Sequence, residues 1–324
     1  MKYLIGICFC FLLLHCAEPK KHQHTYYYWK TKLALDEVEK KALTEAEIPF
    51  LYVRYFDVDK IGSQFQPVGV ITKNESFETN KKIVPTIFLT NRSLLNIKRD
   101  EIPFLAKSIL DLIQKKNTEL QLQTSNEIQI DCDWTAGTKA DYFAFLEELK
   151  KQSGKEITST LRLHQVKDKK AMGVPPVEKV YLMCYSTSSP LENSTKNSIL
   201  DFSLLKNYTA KLEDYPIKNM SIALPIYSWG IITNHVGKHK LINALSSEDL
   251  NTDGLKKIST NEAEVEKDGF YFGYFLNKGF HIKIEEITAD QLSETTAYLD
   301  KKVKNYDIVY YQLDRKFVKN QIPK

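Results

Sequence analysis

Cysteine is scarce in this chain. Of five in 324 residues, Cys8, Cys10 and Cys16 fall within the first sixteen positions, leaving Cys132 and Cys184 for all the rest. A fold that depends on disulfides is thereby excluded, and nothing has zinc-site spacing. Both remaining cysteines lie in apolar runs, where a free thiol behaves as a small hydrophobe. There is no basic stripe interleaved with aromatics. Lys and Glu are mixed along the chain with a formal charge of +4, so nucleic acid is not an expected partner. No Gly-x-Gly-x-x-Gly opens a strand-to-helix turn, so the usual dinucleotide cradle is missing, and no cofactor is expected. Internal repeats of the solenoid kind are also missing. What remains, 43% hydrophobic and 27% charged, is an ordinary globular composition. The length suits one closed α/β barrel of roughly 250 residues with insertions.

Residues 1–16, MKYLIGICFCFLLLHC, place one Lys before an apolar run from Tyr3 to Leu14 and then Cys16. The run is short for a membrane span and has the layout of a secretory leader. It resembles a bacterial lipoprotein signal, in which cleavage occurs before a Cys that then carries lipid; His15 stands where that family usually has a small residue. The resemblance implies a membrane anchor on Cys16, a cell-envelope location and a water-soluble remainder. Sequons at Asn74, Asn91, Asn193, Asn207 and Asn219 would be incidental in such a protein.

After a polar tether over residues 17–24, strands alternate with helices. The strands are expected at Tyr26–Trp29, Pro49–Asp57, Ile83–Leu89, Glu127–Thr135, Thr158–Gln165, Val180–Tyr185, Met220–Trp229 and Asp307–Leu313. Between them, Leu35–Ala46, Glu101–Lys115 and a segment opening at Thr138-x-x-Asp141 carry helical periodicity; the last would bury Tyr142, Phe145, Leu146 and Leu149. Residues 234–268 turn polar without a strong period and read as an insertion, most simply a long solvated loop. Asn277-Lys278-Gly279 has the look of a hairpin turn, and Thr288-x-x-Gln291 of a capping box. Eight strands alternating with helices predict a (β/α)8 TIM-like barrel over residues 25–324, with parallel strands and outer helices.

The chain is organised around Glu127-Ile-Gln-Ile-Asp-Cys-Asp-Trp-Thr135. Asp131 and Asp133, two apart on a strand, share one face, where mutual repulsion raises the pKa of at least one. Such pairs are kept where a proton or a cation needs handling, or else cap the next loop. In a barrel of this class the chemistry sits at the C-terminal strand ends. Those ends carry Trp29, Asp57, Asp131, Asp133, Trp134, His164, Gln165, Tyr185, Tyr227 and Trp229. Carboxylates and amides bind hydroxyls, and flat aromatics stack on the apolar face of a sugar ring, so a polysaccharide or oligosaccharide is the expected ligand.

The run Ile130-Asp131-Cys132-Asp133-Trp134, with Leu182-Met183-Cys184-Tyr185 and Tyr227-Ser228-Trp229, resembles the barrel of family-18 (chitinase-like) glycoside hydrolases. TSTLRLHQ, GVPP, YLMCYS and ALPIYSWG resemble an uncharacterised family of exported Bacteroidetes proteins. In the chitinase-like pattern the Glu that protonates the glycosidic oxygen lies two residues beyond the Asp-x-Asp, where this chain has Thr135; a Tyr-Asp pair at the sixth strand is here Tyr185-Ser186. That mechanism therefore cannot be transferred whole. Two readings follow. In one, Asp131, Asp133, Asp57 and His164 supply acid and base to a glycosidase, with Asp133 as proton donor beside Trp134. In the other the barrel binds glycans without cleaving them, with Trp29, Trp134, Gln165, Tyr185, Tyr227 and Trp229 as the binding surface. A metal site from Asp131, Asp133 and His164 is a third alternative. Arg54 and Arg162, set within strands, demand partners, and a pairing of either with Asp131 or Asp57 is expected.

Overall fold

The computed structural model describes residues 22–192 and 195–318. The leader, Cys16, most of the tether and Asn193 lie outside them. Eight parallel strands close on themselves: β1 (His24–Tyr28), β2 (Phe50–Ile61), β3 (Lys82–Leu89), β4 (Glu127–Asp131), β5 (Glu156–Arg162), β6 (Val180–Met183), β7 (Met220–Pro225) and β8 (Ile308–Tyr311). Each pairs with its sequence neighbour, and β1 pairs with both β2 and β8, so the sheet of the (β/α)8 barrel has no open edge among these strands. An antiparallel strand, Gln64–Val68, lies along the outer end of β2.

Helices cover the outside because their apolar stripes need the barrel wall. In Lys139–Ser153 the buried residues are Tyr142, Phe145, Leu146 and Leu149, the stripe that the spacing predicts. Asp36 caps Glu37–Glu45 and Thr288 caps Ala289–Leu299, each through a reciprocal capping box.

The inner face of β4 is unusual for a barrel, whose interior is normally filled by branched apolar residues. Glu127, Gln129 and Asp131 all lie on one face by alternation, and all three are buried. At the floor, the Tyr181 and Thr158 hydroxyls donate to Glu127 Oε1 at 2.7 and 2.8 Å, and Tyr52 adjoins Tyr181 at 2.6 Å. The barrel axis is thus polar from its floor to its mouth.

Two segments differ from the sequence reading. The fifth strand stops at Arg162, and Leu163–Lys167 turns into a short helix, with the Arg162 N–H donating to Gln165 Oε1 at 2.7 Å. Residues 234–268 are not a loop. They belong to a five-stranded antiparallel sheet in the order His239–Asn243, Trp229–Thr233, His281–Glu285, Glu262–Val265, Leu255–Lys257. Its strands bury Ile232, Ile242, Val265, Ile282 and Ile284 in a small cluster of their own, apart from the barrel core. The chain at Asn277–Phe280 does turn, with Phe280 N–H donating to Asn277 O at 3.1 Å, but it joins two different sheets. The hairpin turn proper is Phe272-Gly273, both at positive φ (54° and 84°), between Gly269–Tyr271 and Tyr274–Leu276.

Candidate functional site

At the C-terminal mouth of the barrel lies a cavity of about 380 Å³. Its wall combines Asp131 and Asp133 from the end of β4, Arg162 from β5, and the aromatics Trp29, Tyr185, Tyr227, Trp229 and Tyr311. The volume and the mixture of flat apolar faces with a few convergent polar groups are those of a small-molecule or oligosaccharide site. The aromatics are held by one another. Tyr185 stacks on Tyr311 at 5.4 Å between ring centres, Trp29 meets Tyr311 edge-on at 5.7 Å, and Tyr227 lies 5.1 Å from Trp229. Trp229 and Asn243 come from the antiparallel sheet, so two separately packed units build one wall.

The two aspartates share the pocket but not an environment. Asp131 is buried, and its carboxyl is pushed up to about 7, first by burial and then by the Asp133 carboxylate beside it. The Thr160 hydroxyl, donating to Asp131 Oδ1 at 2.7 Å, and the Arg162 charge oppose that rise without cancelling it. Asp133 is half-exposed and faces Arg162, with Nε 3.5 Å from Oδ1, an ion-pair distance longer than a good hydrogen bond.

Asp57, a sequence candidate for catalysis, is otherwise engaged. Arg54 Nε donates to its Oδ1 at 2.6 Å, and a second guanidinium nitrogen reaches Oδ2. In a regular strand, residues three apart point to opposite faces. The β-bulge between Arg54 and Phe56 resets the alternation and lets these two meet. The expected arginine partner for Asp57 is therefore present, and Asp57 does not line the cavity.

Three further expectations are corrected. Trp134 is fully buried, stacked on Tyr142 at 4.9 Å with its indole N–H donating to Met172 O at 2.9 Å; neither face is open to a sugar. Gln165 is equally buried and serves the backbone, its amide donating to Trp134 O at 3.1 Å. His164 sits on the short helix past β5 and outside the cavity lining, and burial, then Arg162, depress its pKa. The Asp133 charge acts on it in the opposite sense, but the strand ends before His164 and its side chain does not line the cavity with Asp131 and Asp133. Among the described residues, no three His, Cys, Asp or Glu side chains come together as metal ligands.

Thr135 is exposed and belongs to the start of the following helix. Its N–H donates to Thr138 Oγ1 at 3.0 Å, and its carbonyl accepts from Thr138 and Lys139. Sequence reasoning missed Phe88, Asn243, Tyr311, Gln312 and Phe317 in the lining. Tyr311 was accessible to it, being an aromatic at the end of the eighth strand; Asn243 was not, because it depends on the fold of the polar segment.

No family model and no curated protein matches the sequence. Solved structures do. The spore cortex-lytic enzyme SleL of Bacillus megaterium QM B1551 superposes with a TM-score of 0.58 at 14% identity, over 92% of this chain and 73% of that one. A chitinase from Chromobacterium violaceum ATCC 12472 gives 0.53 at 10% identity, over 92% and 97%. A family-18 N-acetylglucosaminidase from Paenibacillus barengoltzii gives 0.51 at 11% identity, over 92% and 98%. At these identities the likeness is one of fold: the chain shares a (β/α)8 barrel with these enzymes.

Proposed function

We propose that this protein binds a glycan containing N-acetylated sugars at the barrel mouth and does not hydrolyse it by the acid catalysis of its structural neighbours. The reading includes an exported lipoprotein of the Bacteroidetes kind, anchored to a membrane of the cell envelope through lipid on Cys16. One observation carries it: the only acids lining the cavity among the described residues are Asp131 and Asp133, and Arg162 faces the more exposed of them. Thr135 stands where the chitinase-like pattern has its proton-donating Glu, and its backbone and hydroxyl are spent on the helix start. The ring of aromatics needs no acid to hold a sugar chain. The neighbours' names, chitinase, N-acetylglucosaminidase and spore cortex-lytic enzyme, support the ligand class.

A second reading, hydrolysis with Asp131 and not Asp133 as the acid, is favoured by burial pushing the Asp131 carboxyl up to about 7. The two separate in one experiment. The protein from residue 18 onward is incubated with chitin, peptidoglycan and other bacterial and host polysaccharides, beside an Asp131→Asn, Asp133→Asn variant. Glycan retained with no new reducing ends is the expected result. Reducing ends released by the wild type and lost in the variant would establish a glycosidase, and neither retention nor release would remove carbohydrate from the account.

A further inference from the structure

Trp229 is the first residue of its strand in the antiparallel sheet, and its register partner across to the neighbouring strand is Glu285. Glu285 is 2% exposed and surrounded by donors. Its Oε2 accepts from the Trp229 indole N–H at 2.8 Å, from the Ser198 N–H at 3.1 Å and from the Ser198 hydroxyl. Its Oε1 accepts from Lys283 Nζ at 2.7 Å, which supplies the counter-charge. Lys283 also donates to Lys196 O at 2.6 Å, and the Asn197 amide donates to Glu286 O at 2.9 Å. Residues 196–198 belong to the loop that follows β6 and the cavity residues Tyr185 and Ser186. Strand His281–Glu285 and the residue after it therefore fasten that loop and the indole together.

We infer that Glu285 is a positioning residue for the pocket: through the indole N–H it sets the plane of Trp229 and ties that ring to the loop after β6. This rests on the glycan-binding reading given above. An indole has one polar atom. Once Glu285 holds it, the ring loses its freedom to turn, one side packs near Tyr227, and the ring is ordered before a ligand arrives. A carboxylate buried in this way is otherwise hard to account for, since an apolar residue would fill the space without a desolvation cost.

The test uses the full-length chain labelled with ¹⁵N-tryptophan, in which the three indole N–H signals report separately, and N-acetylglucosamine hexamer as the probe. Trp134, bonded to Met172 O, serves as the internal control for folding. In Glu285→Leu the Trp229 indole is expected to exchange with water at least about tenfold faster, with Trp134 unchanged, and the hexamer to bind about tenfold more weakly. Glu285→Gln keeps an acceptor for the indole and restores binding to within about threefold. Trp229→Phe keeps a ring but loses the donor, and adding Glu285→Leu to it should cost no further affinity. A Trp229 indole as protected in Glu285→Leu as in the wild type overturns the inference, as does a released indole with undiminished hexamer affinity. Should the wild type bind no glycan of the panel, the carbohydrate reading falls, while the exchange of the indole still decides whether Glu285 holds it.

Discussion

β4 carries a buried carboxyl at each end, on the same face of the same strand, and the two have different fates. Glu127, at the floor, receives hydroxyls from Tyr181 and Thr158 and is closed off by Tyr52. Asp131, four residues on, has one hydroxyl donor, Thr160, a second carboxylate for a neighbour and a cavity in front of it. Burial raises the pKa of both. The difference lies in what answers the burial: at the floor, the Lys179 charge and two hydroxyl donors; at the mouth, one hydroxyl donor and Arg162, set against the neighbouring carboxylate. A satisfied buried acid holds a barrel together, whereas an under-satisfied one facing a cavity is available to a ligand or a proton.

The largest expected effect concerns Asp131 itself. Its folded pKa of about 7 exceeds the unfolded value near 3.8, so between those limits the folded state binds more protons, and stability falls as pH rises. The contribution is fully present below pH ~4, lost through pH ~7 and level above, a swing of up to about 4 kcal/mol. Urea unfolding across this range, compared with Asp131→Asn, isolates it, because Glu127 contributes a slope of the same sign to both proteins. Parallel pH profiles would erase the distinction between the two ends of β4. Next comes Glu127→Ala, which leaves the Thr158 hydroxyl without its acceptor in the interior and Tyr181 with Tyr52 alone, and should cost about 2–3 kcal/mol of unfolding free energy. Asp131→Asn at pH 7 should cost almost nothing or stabilise, and an equal loss in the two variants would mean that both acids are structural. Removing the partly buried, bidentate Arg54–Asp57 pair by Asp57→Ala is expected to cost about 1–2 kcal/mol without altering glycan retention. Arg162→Met comes last, with a stability change of about 0–1 kcal/mol because its pair with Asp133 is partly exposed. Its sharper readout is the Asp131 titration by NMR, which should move upward once the favourable Arg162 charge is gone; an unmoved titration would disconnect that arginine from the pair.

The barrel was legible in the sequence because its strands are long apolar or alternating runs separated by periodic helices, and the eight expected strands are the eight that close. The antiparallel sheet was not. Glu262–Val265 and Leu255–Lys257 are four and three residues long, with polar outer faces, too short for a period to register. At the pocket Asp131 and Asp133 both line the cavity, although the strand ends at Asp131 and alternation is not what brings Asp133 there. Alternation also fails for His164 and Gln165, where the fifth strand ends early, and for Asp57, where a bulge shifts the phase. Trp134 shows a different limit: a tryptophan after a strand end reads the same whether it faces a cavity or the core, and only the Tyr142 ring beneath it decides.

Trp229 and Asn243 belong to strands of a sheet with its own small core, although the Trp229 ring itself packs against the barrel core, and the rest of the cavity wall belongs to the barrel. A cluster of that size is marginal alone, so the sheet leans on its contacts with the barrel. A ligand seated between the two would act as a rivet. Its affinity would then appear as slowed amide exchange along Glu262–Val265 and Leu255–Lys257, strands that line no part of the cavity.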